Sequence, residues 1–199
     1  MRPLTLDDLP SPEEFLKERD AMRTRVIAVK ALRRVAVGTI VSLTFENHET
    51  VRWQVLEMCR VEGHASIEKR REELEIDNEM LPKDGGLAAT MFIELEGDAQ
   101  LRRWLPRLSG IERTVSMRFA GRTVQAEFED GRSREDTTSC VHYVKLPLTM
   151  EHRRLFPTSE VTVAIDHPEY RHAAILSPAT RDELARDLAG PLGSRHGGA

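Results

Sequence analysis

At the junction of Arg34 and Val35 the spacing of apolar residues changes from helical to alternating, and this switch limits the fold more than any other feature of the sequence. Before it, Phe15, Met22, Val26 and Val29 recur on one face of a helix that reaches about Arg34. Ser11-Pro12-Glu13-Glu14 starts that helix, with serine as N-cap, proline in the first turn and a glutamate to close a capping box. After it, Val35 to Phe45 is rich in β-branched residues. Val41, Leu43 and Phe45 alternate there with Ser42, Thr44 and Glu46 as in a half-buried strand, and Gly38 interrupts with a turn or bulge.

The rest of the chain mixes both periods without a repeating strand-then-helix unit. Asn47 caps a helix over 48–62 whose apolar stripe is Val51, Val55, Met58 and Cys59, with Gly63 as its stop. A third helix over 67–80 ends before Pro82, a strand follows over 87–95, and a short helix spans 98–108. The runs 115–119 and 124–128 form a hairpin, and 139–148 reads as a central strand apolar on both faces. A second hairpin joins 161–165 to 170–176, and Ser177-Pro178 starts a last helix to about Leu188. This order predicts an α+β fold, a largely antiparallel sheet with helices packed on it and helical N- and C-terminal segments, rather than a doubly wound sheet. No proline- or serine-rich linker divides residues 1–189, which are expected to form one domain, and the glycine-rich residues 190–199 read as a disordered tail.

Composition narrows the function classes. Hydrophobic residues at 40% and charged residues at 31% suit a chain that folds around its own core beneath an ionised surface. Cys59 and Cys140 lie in apolar segments without a partner at CxxC spacing and read as buried, reduced thiols of a cytoplasmic protein. Neither a run of about 18 apolar residues nor a basic-then-apolar leader is present, so no transmembrane segment or export signal is expected. The net charge of −4 argues against general nucleic-acid binding. The first helix nevertheless carries seven bases against two acids between residues 16 and 34, while residues 62–79 carry seven acids against three bases. The two segments can neutralise each other, and a nucleic-acid or membrane-surface role for the basic helix is the alternative.

Three constellations can carry chemistry. Asn47, Thr50, Gln54 and Glu57 fall along one helical stripe just after Glu46, where a strand ends and a helix begins, a place suited to a polar ligand. Glu46, His48 and Glu57 also offer oxygen and nitrogen to a metal, although their spacing matches no known ligand pattern and no metal is assigned. Arg132 and Arg134, in a loop with Glu135 and Asp136, can hold an anion, with local ion pairing as the competing use. Cys140 and His142 share a strand face, yet an apolar strand does not activate a thiol. Among the seven histidines no pair has the i, i+4 spacing of a helical zinc site. No nucleophile elbow, phosphate-binding loop or dinucleotide fingerprint occurs, and no catalytic residue is assigned.

Several stretches, taken together, carry a resemblance: Leu4-Thr5-Leu6-Asp7-Asp8-Leu9, Phe45-Glu46-Asn47 with Thr50-Val51 and Gln54 to Met58, Leu81-Pro82, Ala89 to Glu94, Gly131 to Asp136 with Val141 to Val144, and Asp166-His167-Pro168. In order and spacing they resemble a bacterial family of unknown function, DUF3501, over nearly the whole chain. The resemblance lends no catalytic residue or cofactor. Genes of that family tend to neighbour those of a rubrerythrin-like protein and an iron–sulfur oxidoreductase, which implies an accessory or interaction protein of peroxide defence or electron transfer. The residues themselves suggest instead a small-molecule or metal-binding enzyme built on the Glu46 to Glu57 stripe.

Overall fold

The computed structural model describes residues 1–64, 66–83, 85–129 and 131–189. The expected tail, 190–199, lies outside the described residues. The α+β expectation holds. The helices are α1 (Pro12–Arg33), α2 (His48–Val61), α3 (Ile67–Asp77), α4 (Gly97–Trp104), α5 (Met150–Leu155) and α6 (Pro178–Leu188). The strands are β1 (Arg34–Ala36), β2 (Val41–Phe45), β3 (Leu87–Ile93), β4 (Val115–Phe119), β5 (Arg122–Gln125), β6 (Glu127–Phe128), β7 (Val141–Leu146), β8 (Thr162–His167) and β9 (Tyr170–Ile175). They form two antiparallel sheets, ordered β1-β2-β3-β7-β6 and β5-β4-β8-β9.

The expected strand over 35–45 is a hairpin, β1 paired to β2, folded back at Gly38 with φ of +78°. Glycine is required there for two reasons. An added Cβ would sit 2.4 Å from the Tyr170 hydroxyl, and positive φ strains other residues. The tyrosine hydroxyl donates to the Val37 carbonyl (2.7 Å) and accepts from the Ile40 amide (3.1 Å), which ties this hairpin to β9 of the second sheet. The run 124–128 is likewise divided. At Ala126, whose amide donates to the Val115 carbonyl (3.0 Å), the chain leaves β4 and passes to β7, so β5 and β6 belong to different sheets. Alternation within the run is preserved across the switch, which is why it reads as one strand.

The inner faces of the sheets meet in an apolar core that includes Leu43, Phe45, Met91, Val115, Met117, Val144, Val163 and Ile165, closed by Phe156, Leu184 and Leu188. The opposite face of the first sheet is covered by helices. There Leu4, Leu9, Phe15, Val51, Val55, Leu56, Cys59, Leu74 and Leu81 form a second apolar cluster around α1, α2 and α3. Residues of β2 that alternate away from the first core, Ser42 and Thr44, are buried under this layer together with Glu46 and Thr90. Strand β7 is therefore central but not apolar on both sides, because Tyr143 and Lys145 alternate with buried His142, Val144 and Leu146.

Charges are part of this layer. Arg33, the last residue of α1, is completely buried. Its guanidinium donates to the carbonyls of Phe45 (2.8 Å) and Glu46 (3.1 Å), to Glu183 (3.1 Å) and to Asp187. Other bases of α1 and its end pair with acids of α2 and the residue after β3, Arg19 with Glu57, Arg25 with Glu49 and Arg34 with Glu94, rather than with the acidic segment 62–79. Helix α5, capped by Thr149, falls in a stretch with too few apolar residues to show a period.

Candidate functional site

The junction of β2 and α2 is built as the sequence suggests. Asn47 caps the helix, its side-chain oxygen accepting from the amides of Glu49 and Thr50 (both 3.0 Å), and the Thr50 hydroxyl returns to the Asn47 amide (2.9 Å). Glu46 extends the ladder to β3 through its amide, which donates to the Ala88 carbonyl (2.8 Å), and its side chain turns under the helical layer. The buried carboxylate accepts hydroxyl bonds from Thr50 and from Thr90 (2.6 Å) on β3. Both contacts follow from phase: Thr50 lies one turn from Glu46, and Thr90 lies opposite Thr44 and Tyr143 on the sheet face beneath the helices.

The stripe does not act as one unit. Glu57 is clamped by Arg19 through two bonds (2.7 and 2.9 Å) and by Arg60 (3.1 Å), and the Arg19 hydrogen bond holds its carboxyl down at about 2. Gln54 is half-buried between these ends. Glu46, His48 and Glu57 do not converge on a metal: Glu46 is held by its threonines, His48 Nε2 lies against the Arg2 carbonyl, and Glu57 is paired with arginines. The two loop arginines also part. Arg132 donates to Glu129 (2.8 Å) and stacks 4.4 Å from the centroid of the Tyr143 ring, whereas Arg134 is exposed and bonded through its backbone.

A further acid joins Glu46. Asp77, at the end of α3, is buried, and among the described residues its Oδ2 has no hydrogen-bond partner. Burial, with Glu73 and Glu46 nearby, pushes its carboxyl up to about 7. Burial also pushes the Tyr143 phenol up. Asp77 and Tyr143 line an open cleft of about 490 Å³ between the end of α3 and the β6–β7 edge, with Met80, Phe128, Arg132 and Lys145 as further walls. Glu46 borders a narrow recess that shares Glu79, Met80, Tyr143 and Lys145 with this cleft. The bases are partnered, Lys145 with Glu79 (3.4 Å) and Arg132 with Glu129, so the uncompensated charge on the floor is negative. Such a floor can exchange a proton near neutral pH or accept a cation.

Sequence reasoning did not single out Asp77, Thr90 or Tyr143. The acidic run on α3 was legible as charge, but its phase carried the information: Glu73 and Asp77 flank Leu74, the buried apolar residue of that helix, and so face inward with it. Nor does His142 serve Cys140. Its Nε2 donates to the Ser139 carbonyl (2.9 Å) and lies 2.9 Å from the Thr138 hydroxyl, and its Nδ1 is 3.7 Å from buried Glu112, which accepts from Ser133 (2.7 Å). Burial lowers the affinity of His142 for a second proton, and the group fastens the loop 131–140 to the turn at Ile111–Thr114. Cys59 is buried, while Cys140 is half-buried.

Two antiparallel sheets around one core, with an acidic pair buried beneath a helical layer and opening to a cleft, define an α+β protein with a polar candidate site. The chain belongs to the family described as protein of unknown function, DUF3501, whose model matches residues 3–188. It is similar to the crystal structure of a novel protein of unknown function from Burkholderia pseudomallei K96243. The two are 32% identical with a TM-score of 0.88, over 94% of this chain and 100% of that one. No curated protein matches the chain. Among the described residues no helix is long and apolar enough to cross a membrane.

Proposed function

We propose that this protein binds a small organic amine in the cleft between α3 and the β6–β7 edge, with Asp77 as the group that takes up or releases a proton. The observation that carries this reading is the buried Asp77 carboxyl, whose Oδ2 has no partner among the described residues and which lines an open cleft. A carboxylate in that position gains most from a ligand that brings both a donor and a positive charge. Tyr143 and Phe128 supply apolar walls, Glu46 adds negative potential from behind, and the positive charges of Lys145 and Arg132 at the rim are taken up by Glu79 and Glu129. The cytoplasm and a place beside rubrerythrin-like and iron–sulfur proteins are the setting we propose with it, on the strength of the family resemblance.

Calorimetric titration with amines of graded size, repeated in buffers of different ionisation enthalpy, tests the reading. Binding should release a fraction of a proton at pH 6 and less at pH 8, and Asp77→Asn should abolish it. Amine binding that Asp77→Asn leaves unchanged would place the ligand elsewhere.

A further inference from the structure

A second cluster lies at the other end of the α2–α3 hairpin, and the sequence gives it no motif. Helix α2 ends in a left-handed cap: Gly63 has φ of +67°, the His64 amide donates to the Cys59 carbonyl (2.8 Å) and the Gly63 amide to the Arg60 carbonyl (3.4 Å). This pair of hydrogen bonds fixes where His64 leaves the helix. It brings the imidazole back over α3, with Nε2 3.1 Å from Glu62 and Nδ1 3.9 Å from Glu73. One ligand atom from each of Glu62, His64 and Glu73 lies within 4.8 Å of the others.

Two further observations separate this trio from an ordinary surface ion pair. The Glu73 side chain is only 9% exposed, and among the described residues no hydrogen bond reaches its carboxylate. Among the described residues the buried Nδ1 atom of His64 has no hydrogen-bond partner either, although it faces that carboxylate. The buried carboxylate and the ring nitrogen face each other across 3.9 Å, beyond hydrogen-bond distance, a gap that a cation can bridge. Nearby Arg70 is engaged by the Pro10 carbonyl, and burial pushes the Cys59 thiol up.

We propose that Glu62, His64 and Glu73 form a binding site for a first-row divalent metal ion, zinc or manganese. One imidazole and two carboxylates are a donor set that such ions accept, whereas magnesium prefers an all-oxygen octahedron with several waters. Bonds of about 2.0–2.2 Å to a tetrahedral zinc hold its ligand atoms about 3.3–3.6 Å apart. Side-chain rotations of Glu62 at the C-cap of α2, of His64 just beyond it and of Glu73 within α3 bring the trio to that spacing. Three protein ligands leave coordination positions open. His64 and Cys59 also line a largely apolar pocket of about 180 Å³ with Pro12, Phe15, Leu16 and Leu56, so an exogenous ligand on the ion would have a place to extend.

The full chain, stripped by chelator and titrated with zinc, manganese and magnesium, gives the test. One equivalent of zinc or manganese should survive gel filtration by elemental analysis, and magnesium should not. Glu73→Gln and His64→Ala should each weaken binding beyond the roughly 10–100-fold typical of outer-sphere partners, with unchanged circular dichroism, while Glu72→Gln, an exposed acid of the same helix, should have no effect. Cobalt substitution should give visible bands without a sulfur charge-transfer band. Retention of no ion by the wild type, or equal binding by Glu73→Gln, would overturn the site, and a sulfur band lost in Cys59→Ala would overturn the ligand set. Asp77→Asn should retain the ion, which keeps this result separate from that of the cleft.

Discussion

The two sides of the first sheet obey different rules. Toward the second sheet it presents Leu43, Phe45, Met91 and Val144 to a core made of apolar side chains, and toward the helices it presents Ser42, Thr44, Thr90 and Tyr143 to a layer that also buries Arg33, Glu46, Glu73 and Asp77. The first side is what burial alone would select. The second keeps acids out of water at a cost that hydrophobic packing does not require, and the proposed ligand cleft opens beside them.

Truncation on each side should separate these rules. Arg33→Ala removes the partner of Asp187 and Glu183 and strands two carbonyls, and we expect a loss of about 3–5 kcal/mol in denaturant unfolding. Leu43→Ala, on the apolar side, should cost about 3 kcal/mol through its cavity. If Arg33→Ala proves the milder of the two, the buried charges of the helical layer are not a network and the contrast between the faces fails.

The next effect has the opposite sign. Because the Asp77 carboxyl is raised from 3.8 to about 7, the folded chain holds a proton that the unfolded chain releases between those values. Its stabilising contribution is complete below about pH 4 and is lost as pH rises through 7. At about 1.36 kcal/mol per pH unit the ceiling is roughly 4 kcal/mol. Asp77→Asn should therefore flatten stability between pH 4 and 7 and leave the variant about 2 kcal/mol more stable than wild type at pH 8. Coincident pH profiles of the two proteins would show that Asp77 has a partner in solution.

The smallest effect should come from the outer end of α2. Glu57, held at about 2 by Arg19 and Arg60, stabilises the fold above pH 4.5, and this support is lost as pH falls toward 2. Glu57→Gln should cost about 1 kcal/mol at pH 7 and less at pH 3 by thermal denaturation. A larger loss at pH 3 than at pH 7 would contradict this pairing.

Much of this contrast was legible in the sequence. The alternation of Val41, Leu43 and Phe45 with Ser42 and Thr44 located β2 and its two faces, and Ser11, Asn47 and Ser177 marked three helix starts that the structure bonds as caps. Glu46 and Thr50 stand out in the sequence through the junction they occupy. What escaped is pairing across distance: Thr90 and Tyr143 reach the site through strand register, Asp77 through the packing of α3, and Arg33 through contacts 150 residues away. No local period encodes which strand lies beside which. The division of 124–128 between two sheets escaped for the same reason.

The hydroxyl of Tyr170 has a meaning beyond the contact it makes. Strands β1 and β9 are the free margins of their sheets, where an unpaired backbone invites a neighbouring molecule to add a strand. By engaging Val37 and Ile40 beside β1 from the first residue of β9, one side chain occupies the backbone groups at which both margins come together, while the chain itself spans the opposite margin at Ala126. A single phenol thus fastens the two margins to each other, and its loss in Tyr170→Phe should be felt first as self-association in a concentrated solution.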